Sequence, residues 1–393
     1  MENNNHHPNL NQPDIKRFIF YLIVYISVGI GISMLGPLLP FLAKQVSIPL
    51  GQMGFAFTAQ NLGYLIGTLG GGRLFDRFKT HRLIIICLIS MILTGLLIPC
   101  VTEFYVLLTI LFFFGLGVGA VDVGTNLNIV WIFQSKVGPY LNALHLIFGV
   151  GAFITPIIFV NVLNWTGDNL SFAVWTLMLL FIPGIIGLAI TPSPENPETI
   201  QTDAMESEHN PGLILMFMLA IFFAVGVQIG FSGWIFSYVA DLGIADTATT
   251  SLINALFWAS LSIGRLIAIP VSKKVAPGVM ALFNFSLLVL VLIVLLIWPT
   301  HLGMIQFGTA GVGLATSILF PTLLSYAKTR MKITGRTTGL LYLGSSLSMM
   351  LLPLLLGQVF DRFGGYQMIL VVFIVALLGL GTMILLAGKH VKL

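Results

Sequence analysis

The chain of 393 residues is 57% hydrophobic and only 8% charged, with a formal net charge of +4. A soluble domain carries about 25% charged residues because its surface must be wet, so most of this chain's surface faces lipid, and its small positive excess is no footprint for nucleic acid. Cys87 and Cys100 fall on one expected helix about 20 Å apart, beyond disulfide reach.

Residues 1–17 are polar and read as a tail; the apolar run after them is too long for the core of a cleavable signal. Crossing the hydrocarbon core takes about 20 apolar residues. Six such runs follow, at 18–43, 51–72, 83–101, 104–132, 139–163 and 170–191. Segment 192–211 is polar, proline-rich and acidic, and reads as a flexible linker. Six more runs lie at 212–240, 248–271, 278–298, 302–327, 336–358 and 366–388. The expectation is an all-α polytopic membrane protein, with 12 transmembrane helices in two six-helix bundles over 18–191 and 212–393, the second ending in a short tail.

Orientation follows from the tendency of Lys and Arg to stay in the cytoplasm. With the amino terminus inside, the cytoplasmic segments hold 16 of the 18 Lys and Arg residues, leaving Lys44 and Arg362 outside. Both termini are therefore expected in the cytoplasm, in a multi-pass protein of a plasma or bacterial inner membrane. The halves also echo one another. Residues 61–74 and 254–266 both place Gly-Arg-Leu about ten residues after an Asn, as expected of internally repeated transporters.

After the second run comes Gly72-Arg73-Leu74-Phe75-Asp76-Arg77-Phe78-Lys79, followed by Thr80, His81 and Arg82. This stretch, read as a cytoplasmic loop, resembles the signature of the major facilitator superfamily. It departs from it at Lys79, where that family usually has a second Gly. The resemblance implies two bundles around a central cavity that alternate between inward- and outward-open states. It also implies a conformational gating role for Gly72, Asp76 and Arg77.

A narrower resemblance rests on Leu35-Gly36-Pro37, Leu62-Gly63-Tyr64-Leu65, Asp122-Val123-Gly124-Thr125-Asn126, and the stretch from Asn142 to Phe153 with Pro156 beyond it. These are similar to the branch of sodium-dependent glucose transporters and, more distantly, fucose permeases. The second half echoes that branch only at Gly264-Arg265 and at 357–364. The resemblance implies import of a hexose-like sugar, often coupled to a cation.

Asp122 stands out on its own. Of 14 acidic residues it alone lies deep inside a span. Intramembrane carboxylates are expensive and mark ion or substrate pathways; the alternative is a structural carboxyl bonded between helices. Asn126, one turn on, shares its face. His145 lies at a comparable depth on the next span. Together they would hold a coupling proton or sodium ion, unless His145 only satisfies a backbone carbonyl. No other cofactor is called for.

Sugars are recognised by amides, which both donate and accept, and by aromatic faces. The mid-span candidates are Gln60, Asn61, Gln228, Trp234, Asn254, Trp258 and Gln306, with Asn254 and Trp258 on one face. Trp234 alternatively anchors at the interface. Gly63, Gly67 and Gly71, and likewise Gly115 and Gly119, form stripes that permit close helix approach.

With no nucleotide-binding fingerprint and no nucleophile–base or metal constellation, the sequence points away from an enzyme. It points toward a secondary transporter, acting as a monomer, that moves a sugar by cation symport. Two rivals remain: a proton-coupled antiporter exporting lipophilic compounds, and a non-transporting membrane receptor with 192–211 as its partner-binding segment.

Overall fold

A computed structural model describes residues 12–194, 211–331 and 335–388, and every regular element among them is helical. The first half contains α1 (Gln12–Ser33), α2 (Leu35–Gln45), α3 (Gly54–Arg77), α4 (Thr80–Leu97), α5 (Phe104–Phe133), α6 (Val137–Trp165), α7 (Leu170–Leu179) and α8 (Ile182–Ala189). The second contains α9 (Pro211–Leu242), α10 (Thr247–Val271), α11 (Pro277–Ile297), α12 (Leu302–Thr316), α13 (Leu319–Arg330), α14 (Gly335–Phe363) and α15 (Gly365–Gly388). Most of the linker and residues 1–11, 332–334 and 389–393 lie outside the described residues, Lys332, Lys389 and Lys392 with them, while residues 12–17 of the expected tail form the start of α1.

Eleven described segments are long and apolar enough to cross a membrane. The twelfth expected span, α3, has 24 residues, long enough at about 1.5 Å each, but its glycines, Gln60 and Asn61 make it less apolar. It has little need of lipid, because it packs between α5 and α14.

Three spans are broken in two, where the apolar runs predict continuous helices. Proline lacks the N–H that would bond the carbonyl four residues back. Pro37, Pro183 and Pro321 stand just beyond the breaks at Met34, at 180–181 and at 317–318. Two of the carbonyls that prolines release in this chain are used by side chains. Pro321 frees that of Ser317, which accepts from Arg265 Nε at 3.3 Å. Pro353 inside α14 frees that of Met349, which accepts from Asn61 Nδ2 at 3.1 Å.

The two halves share one packing plan. In the first, α3 lies on α5, α1 on α6 and α4 on α5; in the second, α10 lies on α12, α9 on α14 and α11 on α12. Each pair maps onto the other by a shift of six spans. Between the halves, α6 meets α10 and α3 meets α14, which are each other's images under the same shift. The glycine stripes bring α3 and α5 together: a Cβ on Gly63 or Gly67 would strike the carbonyls of Phe112 or Leu116, and one on Gly115 or Gly119 those of Gln60 or Tyr64.

The halves separate toward the end that carries most Lys and Arg residues, and close at the other. Closure is made by Asn61 on Met349, by Thr58 Oγ1 donating to the Met350 carbonyl at 3.0 Å, and by Gly51 N–H donating to Asp361 Oδ1 at 2.6 Å. Gly36 also lies directly against the backbone of Ser232 and Gly233.

Three local readings change. The gating stretch from Gly72 to Arg77 is the last turns of α3 and not a loop, because apolar packing carries the helix on to Arg77. The link to α4 is only Phe78 and Lys79, and Lys79 at φ −59 needs no glycine. His81, counted in the basic cluster, is buried, hydrogen-bonded to Tyr21 Oη at 2.7 Å and to the Thr191 carbonyl at 3.0 Å. Arg265, counted among the cytoplasmic charges, lies inside α10 on the wall of the central cavity.

Candidate functional site

A cavity of about 1220 Å³ lies between the halves. The first half contributes Tyr64, Asp122, Asn126 and His145 to its wall, and the second contributes Arg265, Lys273, Tyr342 and Ser346. Leucine, isoleucine and valine make up much of the rest.

The carboxylate of Asp122 is gripped on both oxygens. Tyr25 Oη on α1 donates to Oδ1 at 2.5 Å, and Tyr64 Oη on α3 donates to Oδ2. Asn126 Nδ2, one turn along α5, also donates to Oδ1 at 2.8 Å and reaches Tyr25 Oη at 3.0 Å. Three helices of the first half thus converge on one acid. Hydrogen bonds to a charged group are worth about 1.5–3 kcal/mol each, so the cluster fixes the carboxylate at the cavity wall without a cationic partner.

His145 comes close without joining by hydrogen bond. Its ring packs edge-on against Tyr25, with centroids 5.8 Å apart. Its backbone carbonyl accepts from Arg265 Nη1 at 3.3 Å, a contact that links the halves. The guanidinium of Arg265 also stacks over Phe148, 5.6 Å from the ring centroid.

None of the seven amide and indole candidates lines the cavity in this conformation. Gln60, Asn61, Trp234, Asn254 and Trp258 are buried in helix contacts. Gln60 Nε2 donates to the Gly31 carbonyl at 2.8 Å, Trp234 Nε1 to that of Pro353 at 3.0 Å, and Asn254 Nδ2 to that of Ser232 at 2.8 Å. Gln228 and Gln306 are half-buried in α9 and α12. Trp234, wholly buried, is no interfacial anchor. On these candidates three buried polar atoms have no partner among the described residues: Gln60 Oε1, Asn254 Oδ1 and Trp258 Nε1. Phe148 stands between Trp258 and Tyr25, at centroid distances of 6.0 and 6.4 Å.

Of the gating set, Arg77 is exposed at the basic end of α3, Gly72 lies in the same helix, and the side chain of Asp76 lies outside the described residues. Among the described residues, no group of three or more His, Cys, Asp or Glu is placed to hold a metal ion.

Sequence reasoning missed Tyr25 and Tyr342, and noted Tyr64 and Arg265 only within motifs or as a loop charge. A signal existed for two of them. A buried tyrosine hydroxyl needs a partner, and Tyr25 and Tyr64 lie at mid-span depth facing the only deep acid.

The family model described as Major Facilitator Superfamily matches residues 21–353. A relative in Xenopus laevis, sodium-dependent glucose transporter 1, is 25% identical over 370 residues, spanning 86% of this chain and 75% of its own length. The human major facilitator superfamily domain-containing protein 4A is 23% identical over 476 residues, spanning 96% of this chain and 92% of its own. Among solved structures, a bacterial homologue of the human lysosomal transporter Spinster, in an inward-facing and occupied conformation, superposes with a TM-score of 0.76 at 13% identity, covering 95% of this chain and 97% of its own. The nucleoside transporter NupG gives 0.74 at 11% identity, covering 95% and 98%.

Proposed function

The chain belongs to the Major Facilitator Superfamily, and on that premise we propose that it moves a hexose-like sugar across the membrane by alternating access, coupled through Asp122 to a sodium ion or a proton. The observation that carries this reading is the grip of Tyr25, Tyr64 and Asn126 on a half-buried acid at the wall of the cavity between the halves. The sugar relative supplies the substrate class.

In this account the basic end is cytoplasmic, by the charge bias of the spans, and the conformation is inward-open. Cation binding at Asp122 replaces the hydroxyl grip and frees Tyr25 and Tyr64 to follow the substrate. As the halves rock, α3 parts from α14 and α6 turns against α10. Asn254, Trp258 and Gln60, with their unpartnered atoms, then face the central pathway and offer an acceptor, a donor and an aromatic face to sugar hydroxyls. Asp76 and Arg77 act at the basic end of α3 on the balance between states. The transporter works as a monomer, because each chain holds a complete pair of halves.

The test is uptake of a labelled hexose panel into proteoliposomes under imposed sodium and proton gradients. Accumulation above equilibrium with an inward cation gradient is expected. Its absence for every hexose would remove the reading.

The apolar share of the wall favours a second reading, proton-driven export of lipophilic compounds. It predicts efflux of hydrophobic dyes that hexoses do not inhibit.

A further inference from the structure

Arg265 is a cation inside a span with no acidic partner among the described residues. It lies six residues before the end of α10 and lines the cavity. The ion pair among the described residues is Arg17 with Asp14, on α1, and Asp122 is already gripped by three neutral donors. Arg265 spends Nε on the Ser317 carbonyl and Nη1 on the His145 carbonyl, and it lays its plane over Phe148. Those contacts orient the guanidinium and leave its charge unbalanced. Its remaining N–H groups, on Nη2 above all, have no partner among the described residues.

An unpaired charge within a membrane span is costly and faces a pathway or a partner. A guanidinium presents a planar fork that matches a carboxylate, in two parallel hydrogen bonds. Lys273, eight residues on and just past the end of α10 at the cavity wall, adds a second positive charge on the way in. The charges of the second half that face the cavity are thus positive, while the acid of the first half is engaged.

From this we propose that Arg265 is an anion-recognition point, and that the preferred substrates are sugars bearing a carboxylate, of the hexuronate class. This rests on the sugar reading above and narrows it.

The test compares D-glucuronate with D-glucuronamide, which keeps the shape and removes the charge, together with D-glucose, as ligands of the full-length purified chain. Binding is read from intrinsic tryptophan fluorescence and from ligand-induced thermal shifts. Glucuronate should bind at least tenfold tighter than glucuronamide. In Arg265→Gln that ratio should fall to about one, and in Arg265→Lys, which keeps the charge without the fork, it should lie between the two. Should Arg265→Gln fail to fold, the wild-type ratio and the lysine variant decide. Equal affinity for the two ligands in the wild type, or an undiminished ratio in both variants, overturns the proposal. Glucose binding without any glucuronate preference overturns it and leaves the hexose reading standing. Binding of none of the three overturns both.

Discussion

The amide of Gly51 donates to the carboxylate of Asp361 at 2.6 Å, joining the first half to the second at the closed end of the cavity. Gly51 and Gly357 pack backbone to backbone beside it, so nothing bulkier fits between the halves there. The bond must break when this end opens.

Asp361→Ala, which removes the acceptor, should therefore shift the balance toward the state open at that end. A hydrogen bond to a charged carboxylate is worth about 1.5 kcal/mol or more, which changes a two-state ratio about tenfold. A cysteine placed at Ala56, fully buried near this contact, in a background lacking Cys87 and Cys100, should label faster from that side. An unchanged labelling rate would show that the bond does not hold the gate.

Gly115→Ala should loosen the first half, because a Cβ there would strike the Gln60 backbone of α3. Overpacking of this kind costs about 1–3 kcal/mol, visible as a lower melting temperature in detergent. Gly70→Ala, where a Cβ meets nothing within 4 Å, should melt as the wild type does. Equal melting of the two variants would refute the close-approach account of α3 on α5.

The amino-acid sequence carries the fold almost whole, since lipid demands apolar runs of fixed length. The spans, the two halves and the facing glycine stripes all follow from that demand. The helix breaks do not, because hydropathy ignores which carbonyl a proline releases. Within the site, Asp122 is legible from its rarity and Asn126 from its spacing. Arg265 is not, because a basic residue near a helix end reads as a loop charge. Spacing put Asn254 and Trp258 on one face, but it could not say that this face lies against α9 and α6 in the present conformation.

Asn254→Ala tests whether that face meets sugar in the course of transport. It removes an amide whose oxygen has no partner among the described residues, and the lost hydrogen bonds to substrate, each about 1 kcal/mol, should weaken apparent affinity about tenfold per 1.4 kcal/mol. Trp258→Ala should cost at least as much and Trp258→Phe less. Loss of thermal stability in all three with wild-type affinity would assign both residues to helix packing alone.

Tyr64→Phe removes one hydroxyl from Asp122 and keeps the ring. Gradient-driven accumulation should fall while substrate exchange across a membrane at equilibrium continues, because the change acts on the proposed coupling group. A Tyr64→Phe protein with full accumulation would mean that this hydroxyl takes no part in coupling. The same comparison applies to Tyr25→Phe.

The most direct test of the account is Asp122→Asn, which preserves the side-chain shape and removes the charge. Counterflow exchange of labelled hexose and concentrative uptake are to be measured on the same proteoliposomes. The account requires exchange to persist while accumulation collapses to equilibrium. Concentrative uptake at the wild-type level in Asp122→Asn would contradict it.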